Sequence, residues 1–271
     1  MDAALSKSGR RVLAAFFGLI VLFLYAPILI LLIFSFNDSE LPTFPLSGFT
    51  IEWYHDFLTN ADLQGALKTS AKVAALSSVG AVVLGVLASM ALVRRFRGRA
   101  AVSALLLSPL IIPYLVFGIA LLLFFHAAGV ERGIMTVVVG HIVISVPYTI
   151  LVIVPRLEQI DVSLEEAAYD LGASRFRTFR SVTFPLILPA VVAAFLIAFT
   201  TSFDEYAVAS FVVGTQATFP IYLYGALLRP GHRLPEVIAV AVVVMILSLL
   251  IVVVAEVGRR LAERRLEGLE S

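Results

Sequence analysis

Few residues of this chain are equipped for chemistry, and their spacing limits what they can do. The three lysines, Lys7, Lys68 and Lys72, follow Ser6, Leu67 and Ala71. A phosphate-binding loop needs its lysine directly after a glycine, because the glycine-rich turn lets backbone N–H groups wrap the phosphates. No such loop is encoded. The four histidines, His55, His126, His141 and His232, include no pair four residues apart, and the chain has no cysteine. A zinc site and a disulfide framework are therefore not indicated. No G-x-S-x-G elbow marks a nucleophilic serine. What remains are two acidic pairs in special places: Asp204 and Glu205, flanked by Ser202 and Tyr206 at the end of an apolar run, and Glu165 and Glu166 in the most polar stretch. Such groups bind and dock; catalysis by this chain alone is not indicated.

The elements that must hold these residues are apolar. Of 271 residues 60% are hydrophobic and 14% charged, with a mean hydropathy of +1.00. A soluble chain of this size cannot hide so much apolar surface behind so few charges, so the expectation is an integral membrane protein, surrounded by membrane lipid. A span takes about 20 apolar residues, and six runs qualify: 12–36, 73–93, 101–125, 134–155, 183–203 and 237–257. The first far exceeds the roughly 7–15 residues of a signal-peptide core and lacks a small-residue cleavage site after it, so it is expected to be retained. With both termini inside, fifteen of the twenty basic residues fall on the cytoplasmic side: Lys7, Arg10, Arg11, Arg94, Arg95, Arg97, Arg99, Arg156, Arg175, Arg177, Arg180, Arg259, Arg260, Arg264 and Arg265. That bias sets orientation. Residues 207–228 are apolar too, but a seventh crossing would strand the four C-terminal arginines outside. Gly214, Pro220 and Gly225 interrupt that stretch. It is expected as an outer re-entrant or membrane-edge segment whose backbone protein must cover. Pro27, Pro109, Pro113, Pro147 and Pro189 lie within spans and are expected as kinks repaired by neighbouring helices.

The loop 156–182 lies between spans four and five, on the inner side. Ser163 and Glu166 match the capping box S-x-x-E, which predicts a helix from Leu164. Glu165 and Glu166 in its first turn suit the helix dipole. Gly172 is placed to end the helix in a left-handed cap, and Ser174 to cap a second short helix leading to Pro185. Four arginines face Glu158, Asp161, Glu165, Glu166 and Asp170, a balance too even to draw nucleic-acid phosphates. A rigid inner loop on a chain without a nucleotide site points to docking on another protein.

Glu166-Ala167-Ala168, three residues, Gly172, nine residues and then Val182-Thr183-Phe184-Pro185 resemble the signature E-A-A-x3-G-x9-I-x-L-P of ABC importer permeases, with Val for Ile and Phe for Leu. The similarity extends to Gly48-Phe49-Thr50-Ile51-Glu52-Trp53-Tyr54, Arg95-Phe96-Arg97-Gly98, Ser108-Pro109, His141 with Pro147, and the run from Ala198 to Tyr206. Together these resemble the C-type permease subunit of spermidine/putrescine importers. The resemblance implies an all-α type I importer permease, a single transmembrane domain over 1–271 in the bacterial inner membrane. It implies that the inner loop is a coupling helix, with Glu166, Ala167, Ala168 and Gly172 seated in an ATPase subunit. It also implies a second, similar permease, two ATPase subunits and a periplasmic substrate-binding protein. ATP and magnesium would then be bound by the partner ATPase, and this chain would carry no cofactor.

For the substrate, carboxylates attract protonated amines, and aromatic faces add cation–π contact. Asp204, Glu205, Ser202, Tyr206 and Trp53 are the candidate path residues. Asp204 is expected to matter more than Glu205, because it closes the apolar run and neighbours on a helix point about 100° apart. The alternative for both acids is to mark the water boundary or to pair with Arg229 or Arg233. His141 reads first as a hydrogen-bonded packing residue. The outer loop 37–68 holds five acids and one lysine, which can steer cations. Polyamine permeases can carry an acid soon after the Ser-Pro of span three. Leu110, Ile111, Ile112, Pro113 and Tyr114 stand there instead, so an opine or another small organic solute stays open beside a polyamine. A self-contained channel or secondary transporter is the rival class, disfavoured by the loop signature.

Overall fold

Apolar runs in lipid must satisfy their backbone N–H and C=O groups internally, and a helix does this within one segment. The computed structural model describes residues 7–40, 43–228, 234–250 and 253. Among them, regular structure is helical apart from a single bridge between Asn37 and Phe49. The long helices are α1 (Lys7–Phe34), α3 (Ala61–Val93), α6 (Ile134–Glu158) and α9 (Phe184–Phe203). Shorter ones are α2 (Glu52–Thr59), α4 (Arg99–Leu107), α5 (Tyr114–Ala127), α7 (Val162–Asp170), α8 (Arg175–Thr178), α10 (Ala207–Val212), α11 (Phe219–Leu228) and α12 (Leu234–Leu250). The helix α3 begins twelve residues before the apolar run 73–93 that announced it. A polar first half keeps helical spacing without being apolar enough to count as membrane-crossing.

The third apolar run corrects the expectation of one continuous helix. It is two, residues 99–110 and Tyr114–Ala127, bent by 101°. Ser108–Leu110 tightens into a 3-10 turn with Pro109 inside it, and Pro113 sits as the cap residue of α5 with extended ψ. Each proline lacks the N–H that would continue the helical ladder; Ser108 keeps helical φ/ψ before Pro109, and the chain leaves the helix at Pro113, whose ψ of 128° is extended. Pro27, Pro147 and Pro189, by contrast, lie inside uninterrupted helices.

The helices sort into two compact units. In the first, α1 and α2 are joined by a loop whose polar groups are tied down. Asn37 accepts the Trp53 indole N–H through its carbonyl at 2.9 Å and the Ser47 amide through Oδ1 at 2.9 Å. The Tyr54 and Ser35 hydroxyls meet at 2.7 Å, and Asn60 donates to Glu236 at 2.8 Å. Phe16, Phe17 and Phe23 of α1 stand exposed, as befits a helix whose solvent is lipid or a partner subunit.

The second unit, Asp62–Gly225 together with the described residues from Ser248 on, is organised around α6. Thirteen of its residues are buried, among them Val137, His141, Ile144, Thr149 and Ile153. The helix α3 buries a stripe of small residues that includes Ser70, Ala74, Ser77, Ala81 and Gly85, and meets α6 where the Thr149 hydroxyl lies 3.2 Å from the Ala81 carbonyl. Small side chains let two backbones approach closely in a membrane. A Cβ on Gly85 would lie 1.8 Å from the Thr149 hydroxyl, which leaves glycine the one residue that fits. On another side α10 inserts Val208, Ala209 and Val212 into a core with Val73, Phe125, Val137 and Ile144, and α9 buries Ile187, Ala194 and Ala198. The segment 207–228 therefore folds as two short helices, α10 with protein over its buried face. Arg229, His232, Arg233 and the C-terminal arginines lie outside the described residues.

Candidate functional site

Two polar constructions stand out, one in the loop between α6 and α9, the other buried between α3, α6, α9 and α10.

In the loop, the helix start differs from the expected capping box. Asp161, not Ser163, is the cap: its Oδ1 accepts the Ser163 amide at 3.0 Å, and the helix begins at Val162. That hydrogen bond holds the Asp161 carboxyl below its ordinary range. Aspartate at a cap accepts from the free N–H groups of the first turn as well as serine does, and Asp161 comes first in the chain. The C-terminal end is as expected. Gly172 has φ +83°, its N–H donates to the Tyr169 carbonyl at 2.8 Å, and the Ala173 N–H donates to the Ala168 carbonyl at 3.0 Å. That pair of bonds is the Schellman arrangement. Ser174 then caps α8 through the Arg177 amide. The resulting helix–glycine–helix leaves apolar side chains in the open: Leu171 is 89% exposed and Phe176 73%. Glu166, Ala167 and Gly172 are exposed with them, and Ala168 is half-buried. Beyond α8 the chain passes through a π-helical turn, Phe179–Thr183, directly into α9, where the Thr183 hydroxyl bonds the Glu165 carboxylate. Arg156 Nε donates to the Leu186 carbonyl at 3.0 Å, fixing the end of α6 to the start of α9.

In the interior, Glu205 is buried at 6% exposure. Its Oε1 accepts the Val208 amide at 2.8 Å. Its Oε2 accepts the Ala209 amide at 2.9 Å and faces His141 Nε2 at 3.1 Å. His141 Nδ1 lies 2.7 Å from Ser202 Oγ, and Ser77 Oγ lies 2.8 Å from the same atom. A carboxylate only accepts, so the proton between it and the ring belongs on Nε2. Nδ1 of the neutral ring then accepts from Ser202, and Ser202 accepts from Ser77. This assignment follows from the network, and every member is satisfied in one direction. Burying a carboxylate at membrane depth is costly unless it is paired and hydrogen-bonded; here three donors meet it.

The expected path residues thus separate. Asp204 is exposed, at the end of α9, while its neighbour Glu205 is buried and engaged. Ser202 is buried in the network. The half-buried Tyr206 ring packs on Tyr224, centroids 4.8 Å apart. Trp53 is buried with its indole N–H committed to Asn37, so its ring serves packing. His141, read from the sequence as a packing residue, is the hub of the network. Ser77 carries no sequence signal beyond the serine pair Ser77-Ser78 inside an apolar run. The hydroxyls of Tyr114, at the break of the third run, and Tyr148 meet at 2.9 Å. Among the described residues, no cluster of three metal-binding side chains occurs.

Residues 81–268 match the family described as the binding-protein-dependent transport system inner membrane component. The chain belongs to that family. The permease is 38% identical over 231 residues to the putrescine transport system permease protein PotI of Escherichia coli (strain K12), covering 82% of each chain. It is 36% identical over 254 residues to the spermidine/putrescine transport system permease protein PotC of the same organism, covering 93% of this chain and 95% of that one. Its fold matches a bacterial ABC transporter involved in the import of the acidic polysaccharide alginate, with a TM-score of 0.73, 19% identity, and coverage of 95% and 99%. A bacterial alginate ABC transporter in complex with an alginate pentasaccharide-bound periplasmic protein gives 0.69 at 17% identity, covering 94% and 96%. The permease is the helical inner-membrane subunit of an ABC importer and not an enzyme, as the inner-loop signature implied.

Proposed function

We propose that this permease moves a polyamine or closely related cationic amine from periplasm to cytoplasm by alternating access, driven by separate ATPase subunits. The observation that carries the proposal is the loop 156–182, folded as a capped, rigid helix–glycine–helix that presents Leu171 and Phe176 outward with the signature residues Glu166, Ala167, Ala168 and Gly172 along it. An element so exposed, apolar and stiff suits docking in a cleft of another protein. We read it as the coupling helix. The substrate class rests on the names of the relatives, putrescine and spermidine/putrescine permeases, together with the exposed carboxylate of Asp204 beside the aromatic Tyr206. Six spans, both termini cytoplasmic, a sister permease, two ATPases holding ATP and magnesium, and a periplasmic binding protein complete the reading. The charge bias of the loops supports that orientation.

Uptake of labelled putrescine is the direct test. Membrane vesicles holding the complete importer are expected to accumulate it only with ATP and the ATPase subunits present. Accumulation by this chain without any ATPase, driven by an ion gradient, would make it a secondary transporter. ATP-dependent uptake of a different solute with putrescine ignored would keep the importer and reject the amine. A reporter fused after Ser271 is expected to be active only in the cytoplasm, and periplasmic activity would reject six spans.

A further inference from the structure

The coupling reading leaves open how a displacement of α7 reaches the membrane. The covalent route is long. From Glu165 the chain runs through the rest of α7, the Gly172 turn, α8 and the π-helical turn Phe179–Thr183 before α9 begins. A hydrogen bond closes that loop at its neck: the Thr183 hydroxyl donates to Glu165 Oε1, eighteen residues away. Thr183 is buried at 3% exposure and is the last residue of the π turn, against the first residue of α9. Hydrogen bonds to an ionised carboxylate are about twice as strong as neutral ones. A π turn carries one residue more than the α-helix allows, and such turns occur mostly at functional positions because their spacing shifts readily.

We propose that Glu165, rather than the signature's Glu166 alone, is the positioning residue that transmits the motion of α7 to α9, through its bond to Thr183. The proposal rests on the coupling reading of the loop. The two glutamates divide the work by direction. Glu166 is exposed toward whatever docks, while Glu165 is half-buried and faces back to the neck of the loop. Pulled or pushed, α7 moves the base of α9 most directly through this short link, which adds to its packing on α8 and the π turn. Without it the motion dissipates in the turn at Gly172 and in the π turn.

The test measures putrescine taken up per ATP hydrolysed, in the complete importer reconstituted in vesicles. Thr183→Val is nearly isosteric, and Glu165→Ala puts the best helix former on a half-exposed position, so both are expected to assemble. Each should lower uptake per ATP by roughly ten-fold, the scale of one lost charge-assisted hydrogen bond. The double variant should be no worse than either single one, and Thr183→Ser, which keeps the hydroxyl, should restore coupling to within about two-fold. Wild-type coupling in both single variants, with Gly172→Val uncoupled, would overturn the link and leave the docking helix standing. Wild-type coupling in all three would overturn the coupling reading itself. Additive losses, loss of assembly, or failure of Thr183→Ser to rescue would assign the pair to folding and equally overturn the proposal.

Discussion

Glu205→Leu is expected to remove most of the permease from the membrane, while Asp204→Asn next to it leaves the importer assembled but slow. The buried carboxylate is the common acceptor for the Val208 and Ala209 amides and His141 Nε2. Leucine fills similar volume but strands all three donors, each costing about 1–3 kcal/mol when buried and unpaired. Several kcal/mol is a large part of the 5–15 kcal/mol that holds a typical fold. The damage should be local at first: α10 loses its N-terminal acceptor and with it its seat against α5 and α6. Glu205→Gln should fall between, since an amide keeps one acceptor and turns an NH2 toward a backbone N–H of Val208 or Ala209, which only donates. Asp204 is exposed at the end of α9 and accepts nothing that the fold requires. Removing its charge should lower putrescine uptake by about ten-fold if it attracts the amine, equal to about 1.4 kcal/mol. Immunoblots of membranes and thermal unfolding of the purified complex separate the two effects. Wild-type abundance of Glu205→Leu with uptake alone abolished would reverse the roles and make Glu205 the substrate carboxylate.

Gly172→Val is expected to uncouple the importer. At φ +83° a side chain with a Cβ costs about 1–2 kcal/mol, and a β-branched one fits worst. The Schellman bonds from Gly172 and Ala173 must then give way, and α7 loses its angle to α8. Uptake per ATP should fall by roughly ten-fold or more, on the same scale of lost energy, with less ATPase co-purifying. Gly172→Asn is the control, because asparagine enters the left-handed region more readily; it should retain most coupling. Glu166→Ala then becomes an informative partner. Asp161 caps the helix, so truncating Glu166 should not unravel α7, and any loss of ATPase binding reports docking alone. Normal coupling in both Gly172→Val and Glu166→Ala would reject the loop as the coupling element.

The inner loop was legible because its determinants are local. A left-handed cap at Gly172, a serine cap at Ser174 and the signature spacing all depend on residues within one or two helical turns, where backbone geometry fixes what can meet. The same locality misled at Asp161, since two overlapping cap patterns, Asp161 and Ser163-x-x-Glu166, both satisfy the rules for a first turn, and only folding chose between them. The apolar class of the chain was equally legible, because lipid demands long apolar runs whether or not each folds as one helix. Periodicity alone had no means to tell a kink from a break: Pro147, buried, and Pro189, exposed, both sit in uninterrupted helices, while the chain turns by 101° across Pro109 and Pro113. The sequence placed Asp204 and Glu205 side by side and ranked them by helical direction. Their actual separation into an exposed and a buried acid was decided by residues far off in the chain, His141 and Ser77 lying 64 and 128 positions before Glu205. The Glu165–Thr183 bond is of the same kind. By itself the sequence determined the apolar helical class and the inner helix–glycine–helix loop with its glycine cap, all set by neighbours along the chain. The tertiary structure alone decided which carboxylate is spent on holding helices together, because a buried charge takes whatever donors packing brings within reach.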